Sequence, residues 1–185
     1  MGDDPNGLFN AAGQGATPGV QRSMVEDVVY TFDEPVTIPD ANVAFTVKVA
    51  GRIGTVPSTL LASPVPGSNG TQWAVSLTGQ PDGTLGSIAN GEYSIQINPS
   101  AVFAAADGTT PLGAGRTDTF YRLFGDAQGT ESVNTLDYAR FKQALSMYNP
   151  LFDVDGNGSV STLDYARFKQ DLSLSFAGDG FVTSI

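Results

Sequence analysis

Residues 153–164 read Asp-Val-Asp-Gly-Asn-Gly-Ser-Val-Ser-Thr-Leu-Asp. Oxygen-bearing side chains stand at the first, third, fifth, ninth and twelfth places: Asp153, Asp155, Asn157, Ser161 and Asp164. Gly158 is sixth, where such a loop turns sharply. Ser159 is seventh and offers its backbone carbonyl. Val160 is eighth, branched and apolar, able to bridge to a partner loop. Oxygens gathered around a tight turn suit a hard cation that takes only oxygen ligands, and calcium is such a cation. The bland alternative is a surface turn rich in Asp, Gly and Asn. Five ligand places, the glycine and the eighth-place valine in one register argue against it.

This spacing is the EF-hand loop pattern, and the chain carries it twice. Residues 126–137 put Asp126, Gln128, Thr130, Asn134 and Asp137 at places one, three, five, nine and twelve, with the Ser132 carbonyl at seven. Gln128 and Thr130 are weaker donors than Asp155 and Asn157. Glu131 replaces the glycine, and an L-residue there bears strain of about 1 kcal/mol or more. The second loop is therefore expected to bind calcium more tightly than the first.

Composition supports oxygen-ligand chemistry and excludes much else. Among 185 residues there is no cysteine and no histidine, which removes disulfides, thiolate zinc, His-ligated metals and the Ser-His-Asp triad. Nineteen acidic against nine basic residues give a net charge of −10. That charge disfavours nucleic acid and anionic membrane surfaces; its plainest other reading is solubility. No apolar run is long enough to span a bilayer. The start, MGDDPNGLFN, has neither a basic n-region nor an apolar core, and the chain reads as a piece of a longer protein.

The elements that must position the loops are legible as well. SVNTLDYARFKQALS (132–146) and SVSTLDYARFKQDLS (159–173) agree at 13 of 15 positions, offset by 27. Tyr138, Phe141, Leu145 and Tyr148, and then Tyr165, Phe168 and Leu172, keep helical spacing. Asn134 with Asp137, and Ser161 with Asp164, are capping pairs. The predicted core of this segment is Val133, Leu136, Phe141, Leu145, Val160, Leu163, Phe168 and Leu172.

Upstream, runs alternate with period two: Val28, Tyr30 and Phe32; Val43, Phe45, Val47 and Val49; Trp73, Val75 and Leu77; Tyr93, Ile95 and Ile97. With Pro, Gly, Asp and Asn between them, about seven short strands read as an all-β sandwich. Alternation points Trp73, Tyr93 and Tyr30 into its core rather than onto a sugar-binding platform. Glu26-Asp27 and Asp33-Glu34 read as solvated strand-end charges, not as an acid/base pair. The expected domains are a linker at 1–19, the β-sandwich at 20–123, the calcium-loop domain at 124–176 and a tail at 177–185. The join at Leu123-Phe124-Gly125 is so short that the two domains are expected to touch.

Two resemblances sharpen this reading. QRSMVEDVVYTFDEPVTIP, GEYSIQINPSAVFAAADGTTPL and TDTFYRLF together resemble bacterial immunoglobulin-like modules of large extracellular proteins, over roughly 20–123. Residues 124–176, two calcium loops each followed by one helix with no entering helix, resemble a type I dockerin. Dockerins are calcium-dependent modules that attach bacterial extracellular enzymes or scaffold proteins to cohesins. The resemblance implies calcium ligands at Asp153, Asp155, Asn157, the Ser159 carbonyl, Ser161 and Asp164. In the first repeat it implies Asp126, Gln128, Thr130, the Ser132 carbonyl, Asn134 and Asp137. It places the partner contacts on Thr135, Leu136, Lys142 and Gln143, and on Thr162, Leu163, Lys169 and Gln170. The family's Ser-Thr pair at loop places ten and eleven is Thr-Leu here, and its Lys-Arg pair is Lys-Gln.

The expectation is thus a two-domain protein, an immunoglobulin-like β-sandwich followed by a small all-α pair of loop-helix repeats. Its expected role is non-catalytic: a monomeric extracellular or cell-surface module that binds calcium and attaches to a cohesin-type partner. Polysaccharide breakdown would be linked to it by association only. The alternatives are a calcium-stabilised cap with no cohesin partner and a carbohydrate-binding sandwich.

Overall fold

Period-two alternation requires a sheet with one covered face, and each alternating run contributes to a strand. The computed structural model describes residues 3–9 (backbone only), 23–50, 60–77 and 87–176. In chain order these form β1 (Asp3–Phe9), β2 (Asp27–Phe32), β3 (Val36–Thr37), a helical turn α1 (Ala41–Ala44), β4 (Phe45–Val49), β5 (Leu61–Pro64), β6 (Gln72–Ser76), β7 (Gly91–Ile97), β8 (Phe103–Ala104) and β9 (Thr117–Arg122). Helices α2 (Thr135–Ala144) and α3 (Thr162–Asp171) follow.

The strands pair antiparallel in a sheet of order β1-β2-β6-β5, a sheet of order β4-β7-β9 and a β3-β8 ribbon. The two larger sheets share one core. Val28, Tyr30, Phe32, Trp73, Val75 and Leu77 meet Phe45, Val47, Tyr93, Ile95, Ile97 and Phe120, all buried. Tyr30 stacks on Phe45 with ring centroids 5.5 Å apart, which joins the two sheets. Each such ring withdrawn from water contributes about 2–3 kcal/mol. The indole N–H of Trp73 donates to the Gly70 carbonyl at 3.2 Å. Trp73, Tyr30 and Tyr93 therefore build the core, not an exposed platform.

Two features of this domain depart from the sequence reading. Residues 1–19 were expected to be linker, yet the backbone of Asp3–Phe9 forms an edge strand on β2, pairing Asp3 with Phe32 and Phe9 with Asp27. Val43 and Val49 were expected to alternate inward with Phe45 and Val47, but they are 54% and 41% exposed. The reason for Val43 is local. Asp40 accepts the Asn42 amide at 2.9 Å and starts a helical turn, so Val43 precedes the strand. Residues 1–2 and 10–19 of the expected linker and the expected tail at 177–185 lie outside the described residues.

The C-terminal repeats fold as two ten-residue helices. Their centre is aromatic: Phe141 and Phe168, both fully buried, lie 4.7 Å apart. Tyr138 against Phe168 (6.1 Å) and Phe141 against Tyr165 (5.7 Å) are contacts that a two-fold axis between the repeats would exchange. Leu136, Leu145 and Leu163 do not join this core; they are 62%, 53% and 58% exposed. Asp137 and Asp164 must face the loops to close their capping boxes. A residue one place earlier on a helix is turned about 100° away, so Leu136 and Leu163 face solvent. Leu145 lies just past the end of α2. Their places are taken by Leu151, Phe152, Val154 and Phe176.

Val133 makes its backbone bonds elsewhere than to Val160. Its N–H donates to the Leu174 carbonyl at 3.0 Å, and its carbonyl accepts the Ser173 amide at 2.8 Å. The returning chain after α3, not the second loop, closes the first.

Core residues cross the join. Met24, Tyr121 and Leu123 belong to the β-domain side in sequence but pack in the helical core with Phe124, Phe141 and Phe168. A buried polar network lies beside them. Fully buried Arg122 donates from Nε to the Ser23 carbonyl and from Nη1 to Asn90 Oδ1, both at 2.8 Å. Asn90 donates to Asp171 Oδ2 at 2.9 Å, and the Ser23 hydroxyl donates to the Leu151 carbonyl at 2.6 Å. Contacts therefore run between the strand-forming residues before 124 and the helical segment after it.

Glu26, expected to be a solvated strand-end charge, is instead partly buried just before β2, an interior strand of its sheet. Burial, reinforced by neighbouring Asp27, pushes the Glu26 carboxyl up to about 7. An acid with a raised folded-state pKa stabilises the fold fully only below its unfolded value near 4.5, and that contribution is lost as pH rises through 7. Glu26→Gln is expected to raise stability at pH 8 relative to the parent by about 1–2 kcal/mol after solvent screening. The gain should vanish at pH 4.5. Denaturant titrations of both proteins at the two pH values check this, and an equal difference at both would refute it.

Candidate calcium site

A helix N-terminus leaves amide N–H groups without intrahelical partners. In both repeats an acid three places into the helix faces back to satisfy the cap. Ser161 accepts the Leu163 amide through its hydroxyl at 3.2 Å, and Asp164 Oδ2 accepts the Ser161 amide at 2.7 Å. Asn134 accepts the Leu136 amide at 2.8 Å, and Asp137 Oδ2 accepts the Asn134 amide at 3.0 Å. The cap thereby fixes the twelfth loop residue toward the loop in each copy.

In the second loop, Asp153 and Asp164 are buried and Asp155 is partly buried. One oxygen from each of the three lies within 4.8 Å of the others. Ligands 2.3–2.6 Å from a calcium ion are at most about 5 Å apart, so the three fit one coordination sphere. Hydrogen bonds from the chain hold the three carboxylates. Asp153 Oδ2 accepts the Gly158 amide at 2.9 Å, and Asp164 Oδ1 accepts the Val154 amide at 2.8 Å. Asp155 Oδ2 accepts the Asn157 side-chain amide at 2.8 Å. Among the described residues no basic side chain pairs with any of the three. Three converging carboxylates without a cation on the chain repel one another, and a divalent ion removes that repulsion.

The remaining expected ligands surround the same loop. Asn157 Oδ1 accepts the Ser159 amide at 2.9 Å and the Ser159 hydroxyl at 2.5 Å. Ser161 donates its hydroxyl to Asp164 Oδ2 at 2.9 Å. Gly158 has φ +84°, and a Cβ built there meets nothing within 4 Å. The glycine is needed for its backbone angle, not for space.

The first loop has the same path with fewer charges. Asp126 and Asp137 are both fully buried and are its only carboxylates at ligand places. Asp126 Oδ1 accepts the Thr130 amide at 3.0 Å, and Asp137 Oδ1 accepts the Ala127 amide at 3.1 Å. Gln128 turns its side-chain amide to Asp137 Oδ1 at 3.5 Å. Thr130 donates to the Ser132 carbonyl at 3.3 Å, and Asn134 donates to Ser132 Oγ at 3.4 Å. Burial, with repulsion from Asp126 added and the Asn134 amide opposing, pushes the Asp137 carboxyl up. Arg140 donates to the Ala127 carbonyl at 3.1 Å, bringing a positive charge to this loop.

Glu131 takes φ +60°, as its place in the loop demands. That angle costs an L-residue about 1 kcal/mol relative to glycine. Glu131→Gly is expected to stabilise the domain by about 0.5–1 kcal/mol, reduced by the added freedom of the unfolded chain. Thermal denaturation in calcium checks this, and a clear loss of stability would refute it.

The eight residues expected to meet a partner, Thr135, Leu136, Lys142, Gln143, Thr162, Leu163, Lys169 and Gln170, are all exposed. Lys142 lies over the Tyr138 ring at 4.9 Å, and Lys169 and Gln170 line a shallow depression with Tyr165 and Ala166. Asp33 and Glu34 are exposed.

Two residues of the site were not anticipated. Tyr121 donates its hydroxyl to Asp126 Oδ2 at 2.9 Å, and Tyr148 donates to Asp153 Oδ2 at 2.9 Å. Both stand five places before their loop, so the offset of 27 that relates the repeats also relates them. Extending the repeat upstream would have found them.

No helix among the described residues is long and apolar enough to cross a membrane. Neither the curated proteins nor the solved structures gave a match. Dockerin domains are calcium-dependent and attach in general to cohesins. Residues 124–173, the stretch that carries both loops and both helices, match the family model of the dockerin type I domain.

Proposed function

We propose that this protein is a non-catalytic, extracellular calcium-dependent attachment module, in which the dockerin domain engages a cohesin-type partner and an immunoglobulin-like β-sandwich carries it. The supporting observation is the convergence of Asp153, Asp155 and Asp164 at the start of α3, within a segment that matches the dockerin model. Calcium in the second loop is held by Asp153, Asp155, Asn157, the Ser159 carbonyl, Ser161 and Asp164. When bound, the ion supplies positive charge that draws the loop together; the chain supplies the outer hydrogen bonds that keep the carboxylates aimed. The first loop holds a second ion through Asp126, Gln128, Thr130, the Ser132 carbonyl, Asn134 and Asp137, more weakly because two carboxylates replace three.

The domain boundary falls at 123/124, and the exposed faces of α2 and α3 with Leu136 and Leu163 receive the partner. Near-identity of the repeats gives the partner two related surfaces. Calorimetric calcium titration tests the ranking of the sites: Asp153→Ala is expected to remove the tighter binding step and Asp126→Ala the weaker. If Asp126→Ala removes the tighter step, the ranking is reversed. Capture of a cohesin in calcium that is lost in chelator tests the partner, and equal capture in both refutes calcium dependence.

A further inference from the structure

The two tyrosine hydroxyls reach the loops in the same way. In each loop the Oδ2 oxygen of the first ligand accepts both the tyrosine hydroxyl and the amide of the sixth residue. The amide distances are 2.9 Å from Glu131 to Asp126 and 2.9 Å from Gly158 to Asp153. The other oxygen, Oδ1, accepts the fifth residue's amide, from Thr130 at 3.0 Å and from Asn157 at 3.1 Å. A carboxylate with two donors on one oxygen cannot rotate freely, and its other oxygen, held by the fifth residue's amide, keeps a lone pair for an ion.

We propose that Tyr121 and Tyr148 are positioning residues that set the calcium affinity of the two loops by fixing the first-place aspartate. Because Tyr121 belongs to β9, the β domain is then part of the first calcium site. The inference rests on the calcium reading above. Partners that orient metal ligands commonly change affinity by 10–100-fold when removed.

The two tyrosines differ in a way that ranks them. Tyr121 is 2% exposed and packs edge-on against Phe176 with centroids 6.2 Å apart. Its hydroxyl also accepts the Glu131 amide at 3.0 Å, so one oxygen holds both the first and the sixth residues of the loop. The sixth place is where this loop lacks glycine and Glu131 sits at φ +60°. The hydroxyl clamps the loop at the point where its own sequence supports the turn least. Tyr148 is 52% exposed, and its loop has Gly158. Water competes with the Tyr148 bond, and the turn does not depend on it.

The test is calorimetric calcium titration of the full chain with one loop disabled at a time. Tyr121→Phe is measured on an Asp153→Ala background, and Tyr148→Phe on an Asp126→Ala background. Tyr121→Phe is expected to weaken the first site about tenfold and Tyr148→Phe the second site a few-fold. Melting in chelator separates positioning from bulk stability: Tyr148→Phe should melt with its parent in chelator and show a smaller calcium-induced rise. If both phenylalanine variants bind calcium as their parents do, while each aspartate variant removes one binding step, the positioning role is wrong and the calcium reading stands. If neither aspartate variant removes a step, the calcium reading fails and this inference falls with it. Should Tyr121→Phe fail to fold, Tyr148→Phe, an exposed side chain, decides the role of the hydroxyl.

Discussion

Chelation of calcium is expected to melt α2 and α3 while the β-sheet signal persists. The segment after residue 124 is about 50 residues long, and a module of that size buries too little apolar surface to offset its chain entropy comfortably. It also brings three carboxylate oxygens within 4.8 Å. At an effective dielectric of about 20, like charges at that range repel by about 3–4 kcal/mol per pair. Calcium reverses that interaction and binds the folded loop alone, adding about 2.7 kcal/mol at a hundredfold excess over Kd. The sandwich has its own core, from Val28 and Tyr30 through Phe120. In chelator, amides of Thr135–Ala144 and Thr162–Asp171 should lose protection, while those of Asp27–Phe32 and Gln72–Ser76 keep it. The end of β9 should follow the helices, because Tyr121 packs in their core. Two melting transitions are expected, with the helical one shifting as calcium is added. Identical helical circular dichroism and melting in chelator and in millimolar calcium would make the loops ornamental turns.

The second large effect is expected at Arg122. Its side chain is fully buried at the join, bound to the Ser23 carbonyl and Asn90 Oδ1, and lies 5.4 Å from the Phe124 ring centroid. Asn90 passes the network on to Asp171 at the end of α3. Arg122→Ala removes a buried cation and leaves the Ser23 carbonyl and Asn90 Oδ1 without that donor. Losing two buried hydrogen bonds from a charged donor, with the packing of its side chain, costs about 3–5 kcal/mol. Arg122→Lys should recover little of it, because an ammonium cannot reach both acceptors with the planar fork of a guanidinium. Asn90→Ala removes fewer charged contacts and is expected to cost about 1–3 kcal/mol. Denaturant unfolding in saturating calcium measures all three. A loss under 1 kcal/mol for Arg122→Ala would show that the join is held by apolar packing alone.

These two effects separate what was readable in the residues from what was not. The convergence of Asp153, Asp155 and Asp164 within 4.8 Å was legible because the loop places oxygen-bearing residue types at fixed intervals, and that spacing does not depend on tertiary neighbours. The caps at Asn134 and Ser161 were legible for a similar reason, since a side-chain oxygen reaching amides two or three places on is a local geometry. Alternation in β2, β6 and β7 was legible because one covered face imposes a period of two. The angle at Glu131 followed from its loop place, and the structure has it at φ +60°.

Tertiary structure decided the rest. Leu136, Leu145 and Leu163 have core chemistry but exposed positions, because the direction of Asp137 and Asp164 and the end of α2 fix where they point. Val43 lost its place in an alternating run to a capped turn at Asp40. The strand at Asp3–Phe9 carries no alternating pattern, and only its pairing with β2 defines it. Tyr121, Arg122 and Asn90 looked like ordinary strand and turn residues; what they do depends on groups 5 to 99 places away in sequence. Ligand spacing is a property of a continuous segment and is written in its order of residues. The join that couples the strands to the first loop is a property of surfaces brought together by folding, and no single segment contains it.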